Sequence, residues 1–446
     1  MDVCPITPYL VGRLTQSAID AWMHDQGWRL YSDHHYEISS RGGSSKVTRP
    51  GPDGQGGGDW SSDLLGSLFG LVDRDDEFQA AFATIRQNVE TIVAPWLDLP
   101  EPDAITPLVE QCRQVTRRLS GAASAQDGVA SGAGELGAYL KLIEQNASAM
   151  SGELIATFKA KFLVQLGQAV GGFHAISVVR GADVAAQEGL WDAARTSVDR
   201  ILTQAREAFD AVAAGSSITW NEVLDVVGWA AKGLKIFATG GVATAFEVGG
   251  LGIEVLKAGA PAPAVTEKVQ PTSYEAAMAQ LKAAFATLNA QIREEERQLD
   301  DNLQSNLRNI RNDPSSYDLT QPPITEGDGI LLIQRGLVEE IYRVHMPAVA
   351  DELDAIGNLA LASRTSTAVA RDASIGIGAS GPSASVSAIN LLLYELVKEL
   401  AWEVRTGARN LELAIADLDR QDARVAEELA KIVERISKGS SYTPWD

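Results

Sequence analysis

The chain has 446 residues and a formal net charge of −21, from 59 acidic and 38 basic side chains. Apolar residues make up 45% of it, which is enough for a sizeable core and argues against global disorder. The acidic balance argues against a nucleic-acid partner, because phosphate binding needs a basic surface and the sequence has no cluster of lysines and arginines.

Two features of the sequence bear on its compartment. Cys4 and Cys112 are its two cysteines, which is neither a disulfide framework nor a zinc set, and a single bridge between them stays open. The first residues lack a basic head followed by an apolar run, so no conventional secretory signal is expected. The sequence therefore predicts secretion by a signal-peptide-independent route or, as the alternative, a cytoplasmic protein.

Residues 1–75 are predicted to be an irregular N-terminal region. Within it, residues 41–60 form a glycine-rich tract, RGGSSKVTRPGPDGQGGGDW, which is typical of a flexible loop. Its glycines lack the order of a phosphate-binding loop. Short helices are expected over 76–134, where Pro95 ends the first apolar run. That run consists of Phe78, Phe82, Ile85, Val89 and Ile92, and the second helix covers Ile105 to Leu119.

Long helices are expected to dominate residues 135–315. A stripe with a spacing near 3.5 residues runs from Ile155 to Val179, and another runs from Trp191 to Val212. Thr272 or Ser273 can cap a further helix of roughly 60 Å, whose charged run 294–301 lies on its solvated face. That helix has the cleanest heptad of the chain, namely Tyr274, Met278, Leu281, Phe285, Leu288, Ile292, Leu299, Leu303, Leu307 and Ile310.

Residues 316–446 are predicted to be a C-terminal helical region. Helices are expected at Leu331 to Tyr342, Ala348 to Ala368 and about Ala388 to Ile436, with a small-residue break before the last one. The last helix repeats at Leu411, Ile415, Leu418, Val425, Leu429, Ile432 and Ile436, and such a stripe requires partner helices. Because almost no period-two alternation is present, the sequence predicts an all-α fold: an elongated bundle of long antiparallel, coiled-coil-like helices.

An apolar glycine-rich hairpin is predicted at one end of this bundle, over residues 223–256. Its uninterrupted apolar part, Ile236 to Phe246, is too short for one straight membrane span, which needs ~20 residues. Two central glycines can turn the backbone and give two short arms. The hairpin is either ordinary core or a segment that is held packed in a soluble form and released into a bilayer. The residues predicted to insert are Trp229, Ile236, Phe237, Gly240, Gly241, Val242 and Phe246.

Residues that could carry chemistry do not converge. The group His24, Asp25, Asp33, His34 and His35 matches no metal-ligand spacing and is explained equally well by exposed polar residues. The sequence has no GxSxG elbow, and neither cysteine has a partner histidine nearby. We therefore expect no catalytic residues, no metal site and no cofactor, and hence no enzyme.

Around residue 150 the chain reads SAMSGELIATFKAKFLVQLGQAV. This resembles the helix–turn–helix of the WXG superfamily of type VII (ESX) secretion substrates: Gly152 and Phe158 match, and Met150 stands where the family has tryptophan. Residues 346–433 are similar to small ESX-secreted helical hairpins with a YxxxD export signal, and Leu418 stands where that signal has tyrosine. Tyr442 and Asp446 have the same spacing at the end of the chain. The resemblance implies export with Tyr442 and Asp446 as the secretion signal.

The order of long helix, apolar hairpin and long helix is also similar to the α-helical pore-forming toxins of the cytolysin A and haemolysin BL type. This implies a non-enzymatic effector that inserts the hairpin into membranes as a homo- or hetero-oligomer, with membrane lipid or a protein as partner. The alternative is a soluble coiled-coil scaffold or partner-binding module. In that case the hairpin is core, and the heptads of 274–310 and 388–436 make contacts within or between subunits.

Overall fold

The structure is a computed structural model that describes residues 8–40, 43–62, 74–123, 135–220, 228–229, 232–233, 235, 237, 270–313, 317, 319, 334–362 and 367–437. These residues are mainly α-helical, with one small four-stranded sheet, which confirms the predicted all-α class. The elongated shape and the position of the hairpin at one end stay predictions.

Nine helices and four strands make up the described part of the chain. The helices are α1 Pro8–Asp25, α2 Asp75–Val93, α3 Pro102–Ala123, α4 Glu135–Ser148, α5 Glu153–Ala213, α6 Tyr274–Asn312, α7 Arg335–Glu340, α8 Met346–Ala362 and α9 Ser383–Ser437. The strands are β1 Arg29–Ser32, β2 His35–Ser40, β3 Gly43–Thr48 and β4 Trp60–Ser62. A π-helical turn, Phe158–Leu163, interrupts α5, and another, Ile341–His345, joins α7 to α8.

Helix α5 is the centre of the fold. Helices α1, α3, α6 and α9 all pack against it. Every residue from Ala169 to Gln187 is buried, so this part of α5 is covered on all sides and not along a single stripe as the sequence predicts. A helix that is buried all round must be apolar or must pair its polar groups internally; α5 is largely apolar and pairs some of its buried polar side chains.

The N-terminal region differs from the predicted irregular stretch. Helix α1 packs along α5, and the four strands form an antiparallel sheet in sequence order. The inward side chains Tyr36 and Val47 are cross-strand partners. The sheet is fixed to α1 because the buried Asp20 accepts hydrogen bonds from the Tyr36 hydroxyl at 2.6 Å and from Arg49 Nε at 2.9 Å. With so few inward residues, the strands leave no readable period-two pattern.

The glycine-rich tract 41–60 is not simply a flexible linker where it is described. Residues 43–48 form β3, and the turn that follows is held by α2, because Arg86 Nε donates to the carbonyl oxygen of Gly54 at 2.7 Å. The Arg86 guanidinium also donates to the carbonyl oxygen of Gly56.

Helix α6 agrees with the predicted heptad, since all ten of the named apolar positions are buried. The predicted cap is also confirmed, because Ser273 Oγ accepts from the backbone N–H of Ala276 at 3.2 Å. The charged run 294–301 is not wholly solvated, however. Glu295 and Glu296 are buried, at 4% and 0% exposure, whereas the neighbouring Glu294 is exposed.

Candidate functional site

The structure describes two of the residues predicted to insert into membranes, Trp229 and Phe237. Phe237 is fully buried and Trp229 is half-buried, and both face α5. The other predicted positions lie outside the described residues: Ile236, Gly240, Gly241, Val242, Phe246, Tyr442 and Asp446.

The start of the apolar segment lies antiparallel on a face of α5 that is made of small residues. Trp229 covers Gly189, Gly233 lies against Ala182 and Ala186, and Phe237 covers Gly181. A Cβ added at Gly181 would come within 2.1 Å of Phe237 Cζ, and one at Gly189 within 2.3 Å of the Trp229 ring. We call this face the seat: its glycines permit a close approach that no larger side chain would allow.

Polar contacts hold both ends of the seated segment. The backbone N–H of Gly228 donates to Glu295 Oε1 of α6 at 2.5 Å. At the other end, Arg113 Nε of α3 donates to the carbonyl oxygen of Phe237 at 3.2 Å, and its guanidinium lies 5.9 Å from the centre of the Phe237 ring. Lys232 Nζ lies 4.6 Å from the centre of the Trp229 ring. The segment is therefore held by main-chain hydrogen bonds and by its two aromatic rings.

A line of buried polar side chains runs along α5 through the same region. They recur every three or four residues, so each is next to the following one on the helix surface and the line winds around α5. We call this line the polar seam: His174, Ser177, Arg180, Asp183 and Gln187. This spacing inside an otherwise apolar helix is the signal in the sequence that could have revealed them.

The polar seam is only partly hydrogen-bonded. Ser177 Oγ donates to Thr116 Oγ1 at 2.9 Å, and Gln187 Nε2 donates to Asp183 Oδ2 at 2.6 Å. Arg180 is 0% exposed and donates to the carbonyl oxygen of Ala360 at 3.4 Å, but its Nε and Nη1 have no hydrogen-bond partner among the described residues. Such groups cost stability when they are buried.

Burial changes the acid–base behaviour of the polar seam. Burial is the main cause that raises the pKa of Asp183 to about 7; the hydrogen bond from Gln187 opposes it, and the carboxylates of Asp300 and Glu296 add to it. Burial lowers the pKa of His174 to about 4. Both side chains are therefore neutral in the folded protein at pH 5 to 6. The free thiol of Cys112, which lies nearby on α3, also has its pKa raised by burial.

A fully buried ion pair lies beside the polar seam. Arg371 Nη2 donates to both carboxylate oxygens of Glu296, at 2.5 and 2.6 Å, and its guanidinium lies 4.4 Å from the centre of the Trp191 ring of α5. The loop 367–382 closes over the pair, since the N–H of Ile377 donates to Glu296 Oε2 at 3.0 Å. A Cβ at Gly376 would lie 2.0 Å from the same oxygen. We call this arrangement of Glu296, Arg371 and the loop 367–382 the clasp. The sequence predicts only a small-residue break at this loop.

Glu295 and Glu296 connect the seat with the clasp. They are neighbours on α6, yet Glu295 accepts from the start of the apolar segment and Glu296 holds the loop 367–382. The contact with the apolar segment and the contact with the loop are therefore made by adjacent residues of one helix. This connection was missed because both residues belong to a charged run that reads as solvated.

The residues considered as metal ligands have other contacts or are exposed. Asp25 Oδ2 accepts from the backbone N–H of Tyr274 at 2.7 Å and so binds the N-terminal end of α6. His34 and His35 lie on exposed positions at the turn between β1 and β2. Within the described ranges, no three His, Cys, Asp or Glu side chains are grouped as a metal site.

Among the described residues, α5 is long and apolar enough to cross a membrane, with a mean hydropathy of 1.4 in its most apolar window. This window is 67% buried inside the fold, and the core helix of a soluble protein meets the same criterion. Comparisons of the chain with models of known families, with curated proteins and with solved structures find no match. The geometry of the seat is therefore the main structural indication of function.

Proposed function

We propose that this chain is a non-enzymatic, membrane-inserting effector that stores its apolar segment 223–256 on α5 and releases it into a bilayer, where it acts as a homo- or hetero-oligomeric pore. The seat is the observation that supports this most. At these contacts the segment contributes the large side chains Trp229 and Phe237, and α5 contributes Gly181, Ala182, Ala186 and Gly189. Departure of the segment therefore uncovers small residues on α5, and transfers its own aromatic rings to the lipid.

The energetics require a lipid acceptor. A fully buried aromatic side chain removes roughly 150–250 Å² from water, so Phe237 and the half-buried Trp229 together stabilise the seated state by roughly 5–10 kcal/mol, at ~25 cal/mol per Å². In water the segment accordingly stays on α5. A bilayer takes up the same rings at little cost, and tryptophan suits its interface. The described hydrogen bonds that must be broken include those from Gly228 to Glu295 and from Arg113 to the carbonyl oxygen of Phe237.

Export by a type VII system, independent of a signal peptide, belongs to the same proposal. It is supported by the turn at residues 149–152, where α4 ends and α5 begins, and where Gly152 has a φ of 127°. Export should then depend on Tyr442 and Asp446. Secretion of Tyr442→Ala and Asp446→Ala variants, compared with the unchanged chain, tests this.

The test of membrane insertion is dye release from liposomes. Gly181→Ala with Gly189→Ala should accelerate release, because the added methyl groups displace Phe237 and Trp229 from the seat. Gly171→Ala is the matched control, since, apart from the backbone of its own turn, no atom of the described residues lies within 4 Å of its added Cβ. Deletion of residues 226–256, and Phe237→Asp, should abolish release. Absence of release by the unchanged chain across several lipid compositions and pH values would overturn the proposal.

The second candidate is a soluble coiled-coil scaffold or partner-binding module, with the apolar segment as core. One observation favours it: α9 extends beyond the bundle with an exposed apolar stripe, whereas the heptad of α6 is covered within the protomer.

A further inference from the structure

The end of α9 is a bare helix with a continuous heptad. All residues from Arg420 to Glu434 are exposed, and the helix continues to Ser437, so that about 27 Å of helix projects from the bundle. Heptad position d falls at Leu411, Leu418, Val425 and Ile432, and position a at Ile415, Asp422, Leu429 and Ile436. Leu411 and Ile415 are buried in the bundle, whereas Val425 and Leu429 are each 56% exposed.

The apolar stripe thus runs from the interior into water, interrupted once by Asp422. Val433, at position e, is 62% exposed and widens the apolar stripe. Lone apolar residues on a surface need no explanation, but a stripe that repeats at heptad spacing for three turns matches a helical partner.

The charges on the projecting part argue for a helix as partner and against a lipid surface. Residues 419–437 contain five acidic and four basic side chains, which is nearly balanced, whereas the whole chain carries −21. Helices that lie on membranes are rich in lysine and arginine on the polar face. The balance also reduces the repulsion between two copies of this acidic chain where they meet at this helix.

We propose that the projecting part of α9 pairs with the same helix of a second copy, in antiparallel orientation. In a register that sets position 429 opposite position 432 of the other copy, four apolar layers form: 425 with 436, 429 with 432, 432 with 429, and 436 with 425. The flanking g positions then bring Glu428 of each copy opposite Arg435 of the other, which gives two pairs of opposite charge.

The parallel alternative is unfavourable for a specific reason. In a parallel, in-register pair the two Asp422 residues lie opposite each other in one layer of the interface, where like charges repel each other. In the antiparallel register position 422 is opposite position 439, outside the four apolar layers. Ser437 of one copy is then opposite Arg424 of the other, about 7.5 Å along the helix from Asp419, so the described parts of the two bundles lie at opposite ends of the pair.

This inference names the partner for the second candidate function and rests on it. It does not depend on membrane insertion, which uses the seat and not α9. A failure of self-association therefore leaves the liposome result untouched, and the absence of dye release leaves the oligomeric state to be measured on its own.

The test measures the mass of the full chain by sedimentation equilibrium over a wide concentration range. The unchanged chain should rise from one to two protomer masses with concentration. Leu429→Asp should remain at one protomer mass, and Ala423→Asp, which adds the same charge at a position off the stripe, should still dimerise. Far-UV circular dichroism should show equal helicity for the three proteins.

Charge exchange tests the orientation. Glu428→Arg and Arg435→Glu should each shift the dimer midpoint to at least tenfold higher concentration, and the double exchange should restore it. A parallel pair would place Glu428 opposite Val433 and would not respond in this way. An unchanged chain that stays at one protomer mass, a dimer that survives Leu429→Asp, or a double exchange without recovery would each overturn the proposal. A monomer that co-sediments with phosphatidylglycerol vesicles through Leu429 would assign the face to lipid instead.

Discussion

The interior around α5 and the projecting end of α9 distribute polar and apolar side chains in opposite ways. Along α5 polar side chains are buried among apolar ones, whereas at the end of α9 apolar side chains are exposed among charged ones. The cost of burying polar groups in the interior is offset inside the protomer by pairs such as Glu296 with Arg371. The exposed apolar side chains of α9 have no covering element among the described residues. Substitutions in the interior should therefore change folding stability, and substitutions at the end of α9 should change association.

The largest effect is expected at the clasp. Glu296→Ala leaves Arg371 buried without its carboxylate, which should cost about 3–5 kcal/mol of unfolding free energy. Urea denaturation measures it. Glu294→Ala is the control on the same helix, and it should cost less than about 1 kcal/mol because its ion pair with Arg297 is exposed. Similar losses for the two variants would contradict the assignment of the interior as the region that determines stability.

The next effect depends on pH and arises at Asp183. Burial raises its folded pKa to about 7, above the ordinary value of ~3.9 in the unfolded chain. The protonated carboxyl therefore favours the folded state below pH 4, and this contribution is lost as the pH rises towards 7. Asp183→Asn removes the charge, so it should be nearly equal to the unchanged chain at pH 4 and roughly 2–4 kcal/mol more stable at pH 8.

The measurement is the difference between the two unfolding free energies at pH 4, 6 and 8, in which the contribution of His174 cancels. Asp301→Asn, at an exposed position of α6, should show no such trend. A difference between Asp183→Asn and the unchanged chain that does not grow with pH would mean that the carboxyl is not buried in this way.

A smaller effect on stability is expected on the seat. Substitutions at two glycines of α5 should change the unfolding free energy in opposite directions. Gly181→Ala places a methyl group on the Phe237 ring and should cost about 1–3 kcal/mol. Gly171→Ala, at a buried position of the same helix where no described atom contacts the added Cβ, should stabilise by roughly 0.5–1 kcal/mol through better helix propensity. Thermal unfolding followed by circular dichroism compares them, and changes of equal sign would argue that Phe237 does not lie on Gly181.

The smallest effect on the folded protomer is expected at the end of α9. Leu429→Asp, measured at concentrations where the chain is a monomer, should alter unfolding free energy by no more than about 0.5 kcal/mol, because its side chain is exposed. A loss of 2 kcal/mol or more would show that this part of α9 is covered within the protomer.

Periodicity predicted the parts of the fold in which one face is apolar. The heptad of α6 with its Ser273 cap, and the run of Phe78, Phe82 and Val89 in α2, lie where the spacing indicates. The same spacing in α9 could not say which part of the stripe is covered, since coverage depends on where the partner helices end.

Other parts left no readable pattern. Helix α1 is buried on nearly all sides, including polar residues such as Thr15 and Ser17, and therefore has no polar face to mark it. Glu296 looks solvated in the sequence because its partner, Arg371, is 75 residues away. The place of Phe237 in the apolar segment makes it a predicted membrane-inserting residue. Its contact with Gly181 could not be predicted, because it depends on how the segment packs on α5.

The most direct test of the stored segment follows one exposed residue of it. Lys235→Cys, in a background with Cys4→Ser, carries an environment-sensitive dye without disturbing the seat, because Lys235 is exposed and Cys112 is buried. Addition of liposomes should shift the dye emission to the blue and make it sensitive to a quencher embedded in the bilayer, while the same dye at Glu294→Cys should stay in water. A Lys235→Cys dye that remains in water while the protein is bound to liposomes would contradict release of the segment into the membrane.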